Sequence, residues 1–215
     1  MYRAVCLLLS VLTTLALSSH AQRGPARTFD AEAAGAPPAG FTFAAMRQPT
    51  PGTWAVRRQG TNGYLAHDAE PSAAGFSLAI LEQRPGREFV ASARLRLAGG
   101  ARAGGLVWHY LDEHNFYAAV LDLTKQELAV YRVAGGNRVR LDVEDDLELD
   151  PDAWHTVKVS YDDRTMFVAL GGIRVLEKRE SRESPAPKDG RLGVIAAGTS
   201  DAWFDDLRVG SDRDK

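Results

Sequence analysis

The sequence predicts an all-β protein, a two-sheet antiparallel β-sandwich, and three observations carry that expectation. From Phe29 onward Gly, Pro, Asn or Asp interrupts the chain every 8 to 12 residues, the spacing of short strands joined by turns. The pieces between these breaks alternate apolar and polar residues with a period of two, the pattern of half-buried strands. No stretch shows a convincing amphipathic helical repeat, which leaves sheet packed on sheet as the way to bury the apolar positions.

Thirteen strands are expected, in order over 54–58, 63–67, 76–81, 88–97, 105–111, 115–123, 127–133, 138–143, 154–161, 166–170, 173–178, 191–196 and 203–209. Two connectors read as hairpin turns. Ala134-Gly135-Gly136-Asn137 supplies positive-φ residues, and Asp162-Asp163-Arg164 supplies an Asx-type turn. Alternation assigns faces: Val157, Val159 and Tyr161 point inward, with Lys158 and Ser160 outward. By the same rule Leu106, Trp108 and Tyr110 share one face, and Val107 and His109 the other. On 115–123 the sets are Phe116, Ala118, Val120 and Asp122 against Tyr117, Ala119 and Leu121. If the second set is core, Asp122 joins His109 on the outer face; of Tyr131 and Arg132, one must lie there too. Residues 180–189 read as a polar, Pro-containing loop, and neither an internal repeat nor a second domain is evident.

Composition bounds the function. With 45% apolar and 25% charged residues the chain is a folded globular protein. Its 26 basic and 28 acidic residues give a formal net charge of −2, so no global field favours a nucleic-acid backbone. Arg3, the uncharged apolar run 4–17 and the small residues at Ser19 and Ala21 read together as a secretory signal over 1–21. A run of fourteen residues is too short to span a bilayer. The expected mature protein is therefore secreted or periplasmic, cleaved near Ala21, and carries no transmembrane segment. A flexible leader over 22–28, one domain over 29–210 and a tail over 211–215 complete the organisation. The one cysteine, Cys6, lies in the signal, so the remaining 194 residues have none. That excludes disulfides, thiol catalysis, zinc–thiolate and iron–sulfur sites, and stability must come from the packed core.

Several segments resemble the concanavalin A-like jelly-roll superfamily, specifically small secreted domains of laminin-G-like and 3-keto-disaccharide-hydrolase-like type. They are Phe29-Asp30 with the Gly/Pro run 35–41, Gly104-Gly105 through Trp108 to Tyr110 and on to Asp112 and Asn115–Tyr117, Trp154 through Val159, Gly190 to Gly193, and Ala202 through Val209. Physics accounts for some of them. Gly104-Gly105 permits close backbone approach, Asp112 and Asn115 suit a tight turn, and Trp154 and Trp203 are expected to cap the core.

The resemblance implies a sandwich with a concave sheet on which relatives hold glycans. His109, Asp122, Tyr131 and Arg132 are then the expected carbohydrate-binding residues: an aromatic platform with fixed polar groups. It also implies two alternatives. In an enzyme acting on 3-keto-glycosides, His109 would be the base; a structural, protein-interaction domain of the envelope would need no small ligand. In some relatives an acid on the closing strand holds a structural calcium, for which Asp30, Glu32 and Asp205 are the donors here. Glycoside hydrolases of family 16 carry acids at the spacing of Glu144, Asp146 and Glu148. Here Leu141, Val143, Leu147 and Leu149 alternate with the acids, the pattern of a half-buried edge strand with a solvated face. His109 and His114 flank Asp112-Glu113 but lack a third firm zinc ligand, which favours a plain turn.

Overall fold

A computed structural model describes residues 25–181 and 190–210; the expected signal, the 182–189 part of the polar loop and the tail lie outside the described residues. Fourteen strands follow in chain order: β1 Phe41–Met46, β2 Thr53–Gln59, β3 Asn62–Asp68, β4 Phe76–Leu81, β5 Phe89–Gly99, β6 Ala103–Asp112 and β7 Asn115–Asp122, then β8 Glu127–Ala134, β9 Asn137–Glu144, β10 His155–Asp162, β11 Thr165–Leu170, β12 Ile173–Arg179, β13 Arg191–Ala197 and β14 Ser200–Gly210. All thirteen expected strands are present. The addition is β1, whose Phe-Thr-Phe start lies between Gly- and Pro-rich segments and offers little alternation to read.

The strands form two seven-stranded sheets, ordered β1-β4-β13-β6-β7-β8-β9 and β12-β11-β10-β5-β14-β3-β2. Every strand pairing is antiparallel. Between the sheets lies a core that includes Leu65, Leu95, Leu106, Trp108, Leu121, Val159 and Phe204, all buried. Tyr117, Ala119 and Leu121 are in it, so the expected facing of β7 holds. The expected turns also hold. Gly135 and Gly136 have φ of 55° and 77°, Asp163 and Arg164 of 37° and 66°, as two-residue hairpins of this hand require. Asp112 Oδ1 accepts from the His114 amide at 2.8 Å and from Asn115 Nδ2 at 2.9 Å. A Cβ at Gly105 would run into the Ala119 carbonyl, which confirms the close approach expected there.

The residues just before Phe29 are held in place. Arg27 exchanges backbone hydrogen bonds with Leu207 at 2.8 and 3.1 Å, and its guanidinium pairs with Glu32 at 2.8 Å. The expected leader is thus held at its C-terminal end. Trp154 and Trp203 do not cap the core either. Each lies half-buried against Tyr64, with ring centroids 6.3 and 6.1 Å away, under the guanidiniums of Arg94 and Arg96 respectively. In register, Trp203 is opposite Ala66 and Arg96, out of phase with core Phe204, which puts it on the outer face of the second sheet.

The outer face of the first sheet carries a second apolar cluster, including Leu78, Ile80, Val107, Phe116, Ala118 and Ile195. Sheet twist explains a further feature of this face. Adjacent strands rotate by roughly 20–25° with one hand, so over several strands two diagonal corners rise above the same face. Met46 and Phe76 mark one corner, the β8–β9 turn and Arg138 the other. They meet: the Arg138 guanidinium stands 5.2 Å from the Phe76 ring centroid although four strands separate β9 from β4.

Candidate functional site

His109 is where the sequence reading and the structure diverge most. The β6–β7 register shifts between Trp108 and Asp112, and His109 takes φ of 50°. This bulge gives the strand an extra residue, so alternation fails beyond it. Tyr110 swings to the outer cluster, while His109 turns into the sandwich. Its ring packs edge-on against Tyr161 at 4.4 Å, Phe89 at 5.7 Å and Tyr117 at 5.9 Å. Gly190 makes room, because a Cβ there would strike the His109 backbone. With 5% of the residue exposed, desolvation pulls the imidazole down to about 4, so the ring is neutral near pH 7. His109 is therefore not on the outer face, and a sugar hydroxyl cannot reach it.

Arg132 also lies on the inner side. Its guanidinium stands 5.8 Å from the Tyr117 ring, at a cavity of about 250 Å³ lined also by Leu141, Met166, Lys178 and Glu180. Tyr161 donates to the Glu180 carboxylate at 2.8 Å. Burial first, then the neighbouring Glu180, pushes the Tyr117 and Tyr161 phenols well above their ordinary range. This is a buried structural network at the open margin of the sandwich.

Tyr131 does lie on the outer face, under Arg138 at 4.8 Å. Asp122 has the outer parity, yet its carboxylate closes the β7–β8 turn. It accepts from the Thr124 and Lys125 amides at 3.0 Å each and pairs with Lys125 Nζ at 2.8 Å. The four expected glycan residues are thus not brought together. Arg132 lines the inner cavity, and Tyr131 lies under Arg138 on the outer face.

Where the diagonal corners meet, a hollow of about 430 Å³ is lined by Met46, Arg47, His114, Asn115, Gly135, Gly136 and Asn137. Turn chemistry builds it. The Gly135 amide donates to Asn115 Oδ1 at 3.1 Å and the Gly136 amide to the His114 carbonyl at 3.0 Å, which locks the β6–β7 and β8–β9 turns side by side. Arg47, at φ of 59°, enters from the end of β1. Arg138 lies beside the hollow with its guanidinium on Tyr131 and Phe76. Farther along the same face Arg191 covers Tyr110 at 5.3 Å and donates to Thr42 Oγ1 at 3.1 Å. Sequence reasoning treated His114 and the Gly135-Gly136 segment as turns only. Nothing local signals that two turns and a distant strand end converge.

The remaining expectations resolve as follows. Asp30 Oδ1 accepts from the Gly63 amide at 2.7 Å, which with its Thr28 hydrogen bond holds its carboxyl below the usual range. Asp205 accepts from Asn62 at 3.2 Å and from the Asp206 amide at 2.7 Å, and burial raises its carboxyl. Both acids converge on the same β2–β3 hairpin, where N–H groups bond Asp30 Oδ1 and both oxygens of Asp205, and Arg27 takes Glu32. Calcium wants six to eight oxygens, so this donor set does not fit the ion. Among the described residues no three His, Cys, Asp or Glu side chains gather for a metal. Glu144 is the last residue of edge strand β9 and Asp146 sits at φ of 55°, so Glu144, Asp146 and Glu148 do not line one strand face. Leu141, Leu147 and Leu149 pack on the core, as the edge-strand reading expects.

The architecture is that of a jelly-roll β-sandwich, and solved structures of this fold superpose on it. Carbohydrate-binding module CBM66 from Bacillus subtilis superposes with a TM-score of 0.66 at 18% identity, over 80% of this chain and 96% of that one. Domain 4 of the extracellular arabinanase AbnA from Geobacillus stearothermophilus, solved with arabinotriose, gives 0.59 at 10% identity, over 88% and 92%. The lumenal domain of VIP36, bound to calcium and mannose, gives 0.55 at 12%, over 80% and 83%. No family model and no curated protein matches the sequence.

Proposed function

We propose that this chain is a secreted carbohydrate-binding β-sandwich module that holds a glycan at the hollow on the outer face of the first sheet. The observation that carries the reading is the hollow itself: a concave site with two amide side chains, an imidazole and a guanidinium in its wall, beside an aromatic pair under Arg138. Hydroxyl-rich ligands are recognised by such groups, apolar sugar faces by rings and backbone edges. The likeness to CBM66 and to domain 4 of AbnA, solved with arabinotriose, supports a carbohydrate as the class of ligand. Secretion rests on the signal expected over 1–21.

The finer likeness to 3-keto-disaccharide hydrolases would add turnover, but the base it needs, His109, is buried, neutral and out of reach. Binding without covalent chemistry is the reading we adopt. Calorimetric titration of residues 22–215 with an oligosaccharide panel tests it. A ligand should bind saturably, and Arg138→Ala with Asn137→Ala should weaken it about tenfold or more at unchanged melting temperature, the loss expected from two direct polar contacts. Full affinity in the double variant would place the glycan elsewhere.

A further inference from the structure

We infer that the glycan held at this hollow is acidic, bearing a carboxylate, sulfate or phosphate that Arg47 and Arg138 receive; the inference rests on the glycan-binding reading above. The charges at the site carry it. The wall contains no Asp or Glu among its seven residues. Arg47 and Arg138 are exposed, and among the described residues neither has a carboxylate within 4.0 Å. Other exposed arginines are paired: Arg57 with Asp68 at 2.6 Å and Arg179 with Asp163 at 2.9 Å, though Arg58 has only backbone carbonyls as partners.

Arg47 lines the hollow and Arg138 lies beside it, next in the chain to the wall residue Asn137. Arg47 follows Met46, Met46 pairs in register with Phe76, and Arg138 stacks on Phe76. Like charges gathered without a counter-ion repel, and an anion placed between them relieves that repulsion. Among the described residues the Arg138 guanidinium, which stands over the Phe76 and Tyr131 rings, has no hydrogen-bond acceptor, and a guanidinium can grip a carboxylate or sulfate in two parallel bonds. The acids of the β6–β7 turn pair within that turn and not with these arginines. Asp112 is used by the His114 amide and Asn115, and Glu113 stands 3.8 Å from His114 Nε2 at the rim.

The test titrates the protein with three oligosaccharides of matched length: a neutral one, an oligouronide and a sulfated one. The oligouronide or the sulfated ligand should bind about tenfold or more tighter than the neutral one, and the advantage should shrink as salt is raised. Arg47→Gln and Arg138→Gln should each reduce that advantage, and Arg138→Lys should keep part of it. Arg174→Gln, on β12 of the other sheet, should leave it intact. Far-UV circular dichroism and melting temperature verify that each variant folds. Equal affinity for neutral and acidic ligands, or a preference untouched by both Gln variants, overturns the acidic assignment and leaves glycan binding standing. No binding to any of the three overturns the glycan reading and this inference with it.

Discussion

At the scale of single residues, His109 shows how backbone geometry decides chemistry. A histidine on a solvated strand face titrates near 6.5 and can serve a ligand. The same residue one bulge out of phase is a desolvated core ring held down to about 4. Between those values the unfolded chain binds a proton that the native state refuses, so stability falls as pH drops from about 6.5 to 4 and levels off below. The contribution is on the order of 3 kcal/mol. Buried His67, also lowered by desolvation, acts in the same direction. Urea unfolding of wild type and His109→Phe at pH 7 and 4.5 should show a smaller pH loss in the variant. Equal losses would mean that the ring is solvated. Alternation assumes that each residue advances the strand by one step, and nothing in the Trp108-His109-Tyr110 string marks the place where that fails. His109 and Arg132 were misplaced for that reason and because β8 offered no rule for choosing between Tyr131 and Arg132.

At the scale of elements, strands and turns were legible because their signals are local. Gly135-Gly136, Asp112 with Asn115, and the Val157–Tyr161 alternation each act within a few residues, and each appears as expected. The close packing of β6 on β7 is the sharpest such device. Gly105→Ala should destabilise by about 3 kcal/mol, since the new methyl group meets backbone that cannot yield. Gly60→Ala, in open space at φ of 63°, should cost only about 1 kcal/mol from strain. Denaturant midpoints at constant m-value would check the pair. Comparable costs would show that β6 and β7 can separate. What was not legible is assembly: the end of β1 and the residue after it contribute Met46 and Arg47 to a hollow whose other walls come from turns near residues 114 and 136.

At the scale of the whole molecule, a near-neutral chain without cysteine in its expected mature part rests on two apolar clusters, one between the sheets and one on the first sheet's outer face. Twist brings opposite corners of that sheet together, and this makes the hollow proposed to bind the glycan a consequence of the fold rather than of a motif. The stabilising ion suggested by Asp30 and Asp205 finds its oxygens already bonded. Chelator and added calcium should therefore leave the melting temperature unchanged, and a rise with calcium would restore the metal reading. The outer face of the second sheet, with Tyr64, Trp154 and Trp203 interleaved with Arg94 and Arg96, is the natural competitor for a glycan. The most direct test of the central claim is amide chemical-shift mapping of residues 22–215 titrated with a bound oligosaccharide. The account predicts that the amides of Arg47, His114, Gly135, Gly136 and Asn137 shift together and saturably. Shifts confined to Tyr64, Arg96 and Trp203 would contradict it.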